Sequence, residues 1–573
     1  MSFIPELFAH SGLDKIAKEN AFHACLSDPG LPLVAEPVAP ATTPYWFETP
    51  HPQFASHSEK DVPKKVDVVI IGSGITGTSV ARGLLRGGKE AGKGGMKVVM
   101  LEARAVCSGA TGRNGGHINE VGYSDYMHLA GLYGRDAAAK ITKFRIGHLD
   151  ELMRVAGEEG LVEESQIRVV GSVSAFFHET ALDVAQKGLV EMRKDLESIV
   201  QKWATIEKDD GDGLEELKRL GLASADGCIR GRAGAVWPYK LVTGILSNLL
   251  RDFSGSFLVF AHTPATNVFR TEDGYFMVET PRGKMKTKHV VHATNGYVGH
   301  LLPSVRGAIF PLRGQMSAQK PPEWFPYQAE ERSWNFEYEV GFDYLTQIPY
   351  GKALKSGNAS AGNGTKEDKE DATGGDLMFG GGFAQTRNCG LEELGVTDDS
   401  ELNPEATEHL KTALGRAFDP LTGREQNKKE GDFEVKSMWT GIMGFSMDSL
   451  PFVGKLPETL TKRRMFYEEG KQIEIPIVSK HIKGKKTEMK GAEWISAAYS
   501  GEGMVNAWGC GKALASMILG RESEDNVEEW FPDEMKITEE RLERSSLTRM
   551  LEEAQQALHH EPAVPEDELE VSA

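Results

Sequence analysis

The chain has 573 residues, of which 40% are hydrophobic and 26% are charged, and its formal net charge is −19. This length exceeds what one simple core requires, so we expect two lobes with extensions. The negative charge disfavours a nucleic-acid partner, because phosphate binding needs a positive surface, and it also disfavours an anionic membrane. No segment has the roughly 18 uninterrupted apolar residues of a membrane span, and the N-terminus lacks a signal-peptide pattern. The five cysteines are dispersed, which favours a reducing compartment and predicts a cytoplasmic location.

The first predicted element is an N-terminal extension, residues 1–65, which is rich in Pro, His and Ala and wraps the surface or is partly disordered. A β-branched apolar run at 66–71 predicts a buried parallel strand. Residues 78–86 have helical character, and the apolar run at 97–102 predicts a second buried strand. Strand, glycine turn, helix and strand together form one βαβ unit.

Downstream, the hydrophobic pattern alternates between helical and strand periods. It predicts amphipathic helices at 125–160 and 180–222, strands at 167–177, 336–348 and 377–383, and a small β-meander near 256–262, 266–270, 275–280 and 285–293. Three polar segments are a Gly- and Lys-rich surface loop at 351–376, a Lys-rich surface insertion at 457–490, and an acidic tail after a helix around 538–559.

The turn after the first strand carries the glycines of a dinucleotide-binding motif. Gly72 permits a tight turn, Gly74 lets the backbone approach a pyrophosphate, and Gly77 lets the helix pack closely on the strand. The helix N-terminus presents unpaired N–H groups to phosphates. Glu102 ends the second strand, where an acid accepts hydrogen bonds from ribose hydroxyls. A lone glycine pattern can also be an ordinary tight turn, but this strand, helix and acid together favour a dinucleotide, either NAD or FAD.

The glycine-rich run from Cys107 to His117 decides between these dinucleotides. It is too polar for a packed strand and suits a backbone that follows a ligand closely. With the glycine turn and four segments further along, it resembles the D-amino-acid oxidase and sarcosine oxidase family of FAD enzymes, and among them the fungal members most. The four segments are 233–238, 289–297, 311–315 and 499–504.

The resemblance implies an α/β fold with two lobes. One is a Rossmann-like FAD-binding lobe of the glutathione-reductase type, and the other is a mainly antiparallel β-sheet substrate lobe with helices. The FAD-binding lobe is expected from residues 66–165, 226–303 and 438–523, and the substrate lobe from 166–225 and 304–437, with a C-terminal extension at 524–573.

The resemblance also implies which residues bind FAD. They are Gly72, Gly74, Ile75, Thr76, Gly77, Glu102, Ala103, Arg104, Ser108, Thr111, Arg113, Asn114, Gly115, Gly116, Val268, Thr294, Asn295, Gly501, Gly503 and Met504. In this assignment Val268 lies near the adenine. The turn at 501–504 places a helix N-terminus against the pyrimidine end of the flavin, where it stabilises the negative charge of the reduced cofactor.

Two positions depart from the family pattern. Ser437 stands where monomeric sarcosine oxidases carry the cysteine that is bonded to the flavin, so we expect noncovalent FAD. Cys107 is the other candidate for attachment, although a free cysteine is usually a small buried hydrophobe. Val505 stands where those enzymes have a lysine, and the loss of this positive group leaves reactivity with dioxygen open.

Three residues are candidates for catalysis, each with an alternative role. His117 faces the reactive side of the flavin, or it bonds to backbone beneath the cofactor. Arg313 anchors a substrate carboxylate through its planar fork, or it pairs with an acid between the lobes. Tyr344 caps the substrate pocket, or it belongs to the core. Glu502 binds a cationic amine or caps its helix.

The reaction that the resemblance implies is oxidation of a carbon–nitrogen bond in a small amine or amino acid. Hydride passes to the flavin, the imine hydrolyses, and dioxygen is the expected acceptor; no metal is needed. Three alternatives stay open. They are a flavin dehydrogenase with another acceptor, a flavin monooxygenase, for which the sequence shows no second nucleotide motif, and a noncatalytic assembly protein with a structural flavin.

Overall fold

The computed structural model describes residues 14–32, 42–55, 61–90, 92, 95–350, 375–418, 433–466 and 491–549. Nearly all of the predicted loop at 351–376, most of the predicted insertion at 457–490 and the acidic tail lie outside these residues. Within them, no helix is both long and apolar enough to cross a bilayer.

The strands of the described residues are numbered in chain order. They are β1 Val68–Ile71, β2 Val98–Leu101, β3 His117–Ile118, β4 Arg168–Phe176, β5 Ala204–Glu207, β6 Gly227–Ala235, β7 Phe257–Phe260, β8 Asn267–Thr271, β9 Phe276–Thr280, β10 Gly283–Thr287, β11 His289–His292, β12 Ile309–Lys320, β13 Arg332–Glu337, β14 Phe342–Gln347, β15 Leu377–Gly381, β16 Glu434–Ser446, β17 Phe452–Lys455, β18 Met465–Phe466 and β19 Ala492–Ala497.

The α-helices are numbered in the same way. They are α1 Lys15–Leu26, α2 Pro52–Ala55, α3 Ile75–Arg82, α4 Gly88–Glu90, α5 Tyr126–Tyr133, α6 Arg135–Glu158, α7 Val162–Ser165, α8 Glu179–Val200, α9 Gly213–Leu220, α10 Pro238–Asp252, α11 Val298–Leu301, α12 Pro404–Ala417, α13 Glu458–Thr461, α14 Ala507–Leu519, α15 Val527–Trp530 and α16 Glu539–Arg544. A π-helical turn at Gly83–Gly87 joins α3 to α4.

The first lobe is built on a six-stranded sheet in the order β17, β19, β11, β1, β2, β7. All neighbours are parallel except β17 and β19. Every residue of β1 and β2 is buried, as expected for a parallel sheet that is covered on both faces. The register pairs Ile71 with both Leu101 and His292, so the carboxyl ends of the three central strands meet at one edge.

The second lobe is built on a nine-stranded sheet in the order β16, β12, β15, β14, β13, β4, β6, β3, with β5 beside β6. Only β13 and β4 pair in parallel, so the expected mainly antiparallel sheet is confirmed. Strands β3 and β6 come from segments predicted for the FAD-binding lobe but join this sheet. The division of the chain into lobes by residue number stays a prediction.

Three details of the predicted elements are wrong. The predicted four-segment meander has only three strands, β8, β9 and β10, which pair antiparallel, and β18 joins β8 in parallel. Strands β7 and β11 join the parallel sheet of the first lobe instead. The single strand predicted at 336–348 is the hairpin β13–β14, because Gly341 turns the chain with a φ of +77°. The predicted helix at 180–222 stops at Val200, since β5 pairs with β6 before α9 begins.

Candidate functional site

The connection between β1 and α3 has no room for a side chain at Gly72 or Gly77. The N–H of Gly72 donates to the carbonyl of Leu101 at 2.8 Å. A Cβ atom on Gly72 would lie 2.4 Å from the Ala293 carbonyl oxygen, and one on Gly77 would lie 2.0 Å from the Gly72 carbonyl oxygen. The close approach of helix to strand that the sequence predicts for Gly77 is therefore present.

Glu102 follows β2 and binds this turn directly. Its carboxylate accepts hydrogen bonds from the backbone N–H and the hydroxyl of Ser73, at 3.2 and 2.7 Å, and from the N–H of Arg104 at 3.0 Å. The glycine-rich run also touches the turn, because the N–H of Ile75 donates to the Thr111 hydroxyl at 3.0 Å. The run therefore lies against the first turn of α3.

Two further turns complete the crevice at the carboxyl edge of the parallel sheet. The turn after β11 is joined to the turn after β19, because the Asn295 side-chain oxygen accepts from the N–H of Ala498 at 2.9 Å. Asn295 and Gly501 both have positive φ, at +47° and +86°. Open α/β sheets bind ligands in such a crevice. Thr294 lies in the first of these turns, and Gly503 and Met504 lie in a short 3₁₀ helix that follows Gly501.

The peptide groups of the run are held from the second lobe. The carbonyl of Arg113 accepts from the indole N–H of Trp439 at 2.8 Å, and the carbonyl of Gly115 accepts from the Thr346 hydroxyl at 2.7 Å. The N–H of Gly115 donates to the Tyr344 hydroxyl at 3.0 Å. Inside the run, the N–H of Gly116 donates to the Asn114 side chain at 2.7 Å, and Gly116 packs under Val236.

The two arginines predicted to bind FAD are engaged with an acid of the second lobe. Both Asp399 oxygens lie within 2.9 Å of the Arg104 guanidinium, and the Arg113 Nε lies 3.4 Å from the same carboxylate. Burial lowers the pKa of Arg113 to about 10, against the opposing effect of Asp399. This buried trio joins the lobes beside the run. Sequence reasoning missed Asp399, because nothing local distinguishes it from other acids in its segment.

His117 lies on the edge strand β3 and Tyr344 on the interior strand β14, and their rings are neighbours. The His117 Nε2 is 2.8 Å from the Ser333 hydroxyl, and its ring stacks on Tyr344 with ring centroids 6.0 Å apart. Burial lowers the pKa of His117 to about 3 and raises the pKa of Tyr344 to about 12, so both groups are uncharged at neutral pH. The partner of His117 is a side-chain hydroxyl and not the backbone that the sequence suggested.

Arg313 forms an ion pair in the structure. Its Nε and Nη2 donate to the Glu393 carboxylate at 2.6 and 3.2 Å, and Nη1 donates to the Asp398 carbonyl at 3.1 Å. Of the two roles that the sequence allowed for Arg313, the structure shows the ion pair with an acid. A carboxylate-anchoring role for Arg313 stays a prediction without support from its contacts.

Around β4, β13 and β14, the two faces of the nine-stranded sheet carry different side chains. Trp334, Phe336, Leu345 and Phe379 face a hydrophobic core on one side. The other side carries a row of polar side chains, which we call the polar row: Ser172, Ser174, Ser333, Asn335, Glu337, Tyr344 and Thr346. All but Glu337 and Tyr344 are buried. Buried polar groups need partners, and several of these already have one within the protein, since Ser333 bonds to His117 and Asn335 donates to Ser174. The position of the row beside the glycine-rich run makes it a candidate ligand-facing surface.

Sequence reasoning named only Tyr344 of the polar row. The signal is visible in the alternation of Ser333, Asn335 and Glu337 with Trp334 and Phe336 along β13. This period of two predicts a strand with a polar face. The burial of that face depends on the other lobe, which the local pattern does not reveal.

Two remaining sequence predictions concern the periphery of the site. Val268 lies on β8 and is buried with Val278 and Met285 in the small sheet, so its contact with adenine stays a prediction. Glu502 does not cap its helix, because its carboxylate lies 3.2 Å from the fully buried Arg145 guanidinium. The helix-cap interpretation is therefore wrong, and the reason is that the buried cation takes the carboxylate.

The residues predicted to surround FAD fit a dinucleotide in their unpaired groups and in the space beside two glycines. The hydroxyls of Ser108 and Ser437 are buried, and they have no hydrogen-bond partner among the described residues. An added Cβ at Gly109 meets nothing within 4 Å, and one at Gly503 meets its nearest atom at 4.0 Å, so space remains along both backbones. Phosphate or ribose oxygens and a flavin ring could satisfy these groups, which supports the predicted cofactor set.

Known proteins share this sequence pattern and this architecture. Residues 67–517 match the family described as FAD dependent oxidoreductase. The chain is similar to the "Probable oxidoreductase OrdL" of Rhizobium meliloti (strain 1021), with 23% identity over 496 residues that cover 85% of this chain and 90% of that protein.

Similar solved structures have the same two-lobe fold. Glycine oxidase from Geobacillus kaustophilus has a TM-score of 0.53 at 14% identity, and the match covers 82% of this chain and 98% of that chain. L-proline dehydrogenase from P.horikoshii has a TM-score of 0.54 at 17% identity, again over 82% and 98%. At these identities the likeness shows the fold alone.

Proposed function

The chain belongs to the family of FAD dependent oxidoreductases, and from this premise we propose that it oxidises a carbon–nitrogen bond in an amine or amino acid. The observation that carries the proposal is the polar row, which faces the glycine-rich run through Tyr344 and Gly115. A substrate bound there lies between the row and the crevice that holds the cofactor. Two proteins of similar structure are a glycine oxidase and an L-proline dehydrogenase, and their amino-acid substrates support the proposed substrate class.

FAD held in the crevice would supply the redox chemistry, which is acceptance of hydride from the carbon that bears nitrogen, with dioxygen as the proposed final acceptor. The chain's own residues bind and orient the substrate. His117 and Tyr344 are both uncharged at neutral pH. They can therefore form hydrogen bonds with a neutral amine substrate without placing a charge beside it. Burial raises the pKa of Glu337 to about 8, with a contribution from Asp343. The imine product hydrolyses in water.

The polar row is tested by replacing Ser333 with alanine, which removes the hydroxyl that contacts His117. A neutral hydrogen bond contributes about 1 kcal/mol, so we expect the rate of flavin reduction by substrate to fall about fivefold. The measurement is anaerobic bleaching of the flavin absorbance with a panel of amines and amino acids. Ser317→Ala is the matched control, because Ser317 is equally buried but bonds to Phe379 on the apolar face.

The outcomes distinguish the proposal from its alternatives. Equal rates of flavin reduction in Ser333→Ala and Ser317→Ala would show that the polar row is not part of the substrate site. A flavin that no substrate in the panel bleaches would favour a noncatalytic role. Bleaching followed by slow recovery in air would favour a dehydrogenase with another acceptor.

The FAD is predicted to be noncovalent. Ser437, which the resemblance aligns with the flavin-linked cysteine of monomeric sarcosine oxidases, lies on β16 and offers no thiol. The Cys107 thiol is buried, and burial raises its pKa well above the ordinary value, so little of the reactive thiolate forms. Acid precipitation should therefore leave the yellow colour in the supernatant. Colour that stays in the protein pellet would contradict this prediction and point to another attachment residue.

A further inference from the structure

A segment outside the family match contacts the glycine-rich run. Residues 42–54, which we call the strap, precede the matched residues 67–517. Trp46 of the strap is fully buried, and its indole N–H donates to the carbonyl of Asn114 at 2.5 Å. The strap also accepts a hydrogen bond from the run, since the Arg113 guanidinium donates to the carbonyl of Thr42 at 3.3 Å.

Trp46 forms one half of a pair of indoles. The second is Trp439 of β16, which is also fully buried and donates to the carbonyl of Arg113 at 2.8 Å. Two consecutive carbonyls, those of Arg113 and Asn114, are thus bound by indole N–H groups from opposite ends of the chain. Indole N–H groups only donate, so each indole fixes the direction of one carbonyl.

The strap is itself anchored to the body of the protein. The Tyr45 hydroxyl donates to the Asp376 carboxylate at 2.9 Å, and Lys436 donates to the same carboxylate at 2.7 Å. The ring centroid of Trp46 lies 5.1 Å from that of Trp237, which precedes α10. These contacts tie Trp46 to both lobes, so its position does not depend on the run alone.

We propose that the strap is part of the FAD site and that Trp46 and Trp439 are positioning residues that fix the Arg113–Asn114 peptide against the bound cofactor. The run lies on the first turn of α3, where the Thr111 hydroxyl accepts from the N–H of Ile75. Because the indoles hold these peptide groups in place before FAD binds, the run needs no further ordering on binding. Binding then costs less conformational entropy. Loss of one indole N–H leaves a buried carbonyl without its donor and frees the run.

The experiment compares three Trp→Phe variants of the full chain. Trp46→Phe and Trp439→Phe each remove an indole N–H that binds the run. Trp334→Phe is the matched control, because Trp334 is buried in the apolar core and its N–H has no partner among the described residues. FAD is first removed from each protein. The dissociation constant of the FAD complex is then measured by titrating the apoprotein with FAD. The visible circular dichroism and midpoint potential of the bound flavin are also measured.

We expect the dissociation constant for FAD to rise about tenfold in Trp46→Phe and Trp439→Phe relative to Trp334→Phe. The flavin circular dichroism and midpoint potential should change in the first two variants alone. The same dissociation constant and the same spectrum in all three would overturn the proposal. If Trp46→Phe does not fold, the same titration is made with a protein in which Trp46 is replaced by its analogue with sulfur in place of the N–H. This analogue keeps the shape of the indole and lacks only the hydrogen-bond donor. Wild-type FAD binding by that analogue would also overturn it.

Discussion

Replacing Gly77 with alanine is expected to deprive the purified protein of most of its FAD and to lower its free energy of unfolding. The new Cβ would lie 2.0 Å from the Gly72 carbonyl oxygen and 3.3 Å from Ile70 Cγ2. Both neighbours belong to β1 or its turn, so the strand or α3 must move. Overpacking of this kind typically costs about 1–3 kcal/mol. The displaced turn no longer presents the helix N-terminus to the pyrophosphate.

The measurements for Gly77→Ala are the flavin-to-protein absorbance ratio and unfolding in urea. Gly147→Ala is the matched control, because Gly147 is an exposed position of α6 at which an added Cβ meets nothing within 4 Å. Alanine in an exposed helix should stabilise the protein by about 0.5–1 kcal/mol and leave the FAD content unchanged. A Gly77→Ala protein with full FAD content would show that the turn is not the pyrophosphate site.

The βαβ unit was predictable because its signals are local. The run that forms β1 is apolar throughout and ends at Gly72, and Gly77 follows at the spacing that close packing requires. The mainly antiparallel second lobe followed from a family resemblance rather than from periodicity. The hydrophobic pattern predicts several of its strands but does not mark the turn at Gly341, which separates β13 from β14 within the 336–348 segment.

The contacts that hold the site are not local, and this is why sequence reasoning missed them. Asp399 joins Arg104 across 295 positions of the chain, and Trp46 reaches Asn114 across 68. No periodicity links such residues, since they meet only after the lobes pack. Trp439 is also distant in sequence from the run, and its indole bond to the Arg113 carbonyl is apparent only in the structure.

Arg145 is another residue whose role depends on distant partners. It lies on α6 and is only 1% exposed, with its guanidinium 2.9 Å from Asp125, 3.2 Å from Glu502 and 3.7 Å from Glu120. Burial opposes its charge, but the three carboxylates together raise its pKa above the ordinary value. Burial likewise raises the pKa of Glu120. Arg145 thus joins the turn at Glu502 to the segment that follows β3.

Arg145→Met is expected to destabilise the protein by about 3–5 kcal/mol, the usual cost of leaving buried charges without their partner. The variant leaves Asp125, Glu120 and Glu502 close together without the cation. Because Glu502 begins the turn that contains Gly503 and Met504, we also expect weaker retention of FAD. Urea unfolding at neutral pH measures the first effect, and the flavin-to-protein ratio measures the second.

The control for Arg145→Met is Arg154→Met on the same helix. Arg154 pairs with Glu151 and Glu158 but is 48% exposed, and such surface pairs contribute less than about 1 kcal/mol. Addition of Glu120→Gln to Arg145→Met should recover part of the lost stability, because the buried amide needs neither a proton nor a cation beside Asp125 and Glu502. If Arg145→Met were no less stable than Arg154→Met, the cluster would not hold the turn, and the position of Glu502 would need another explanation.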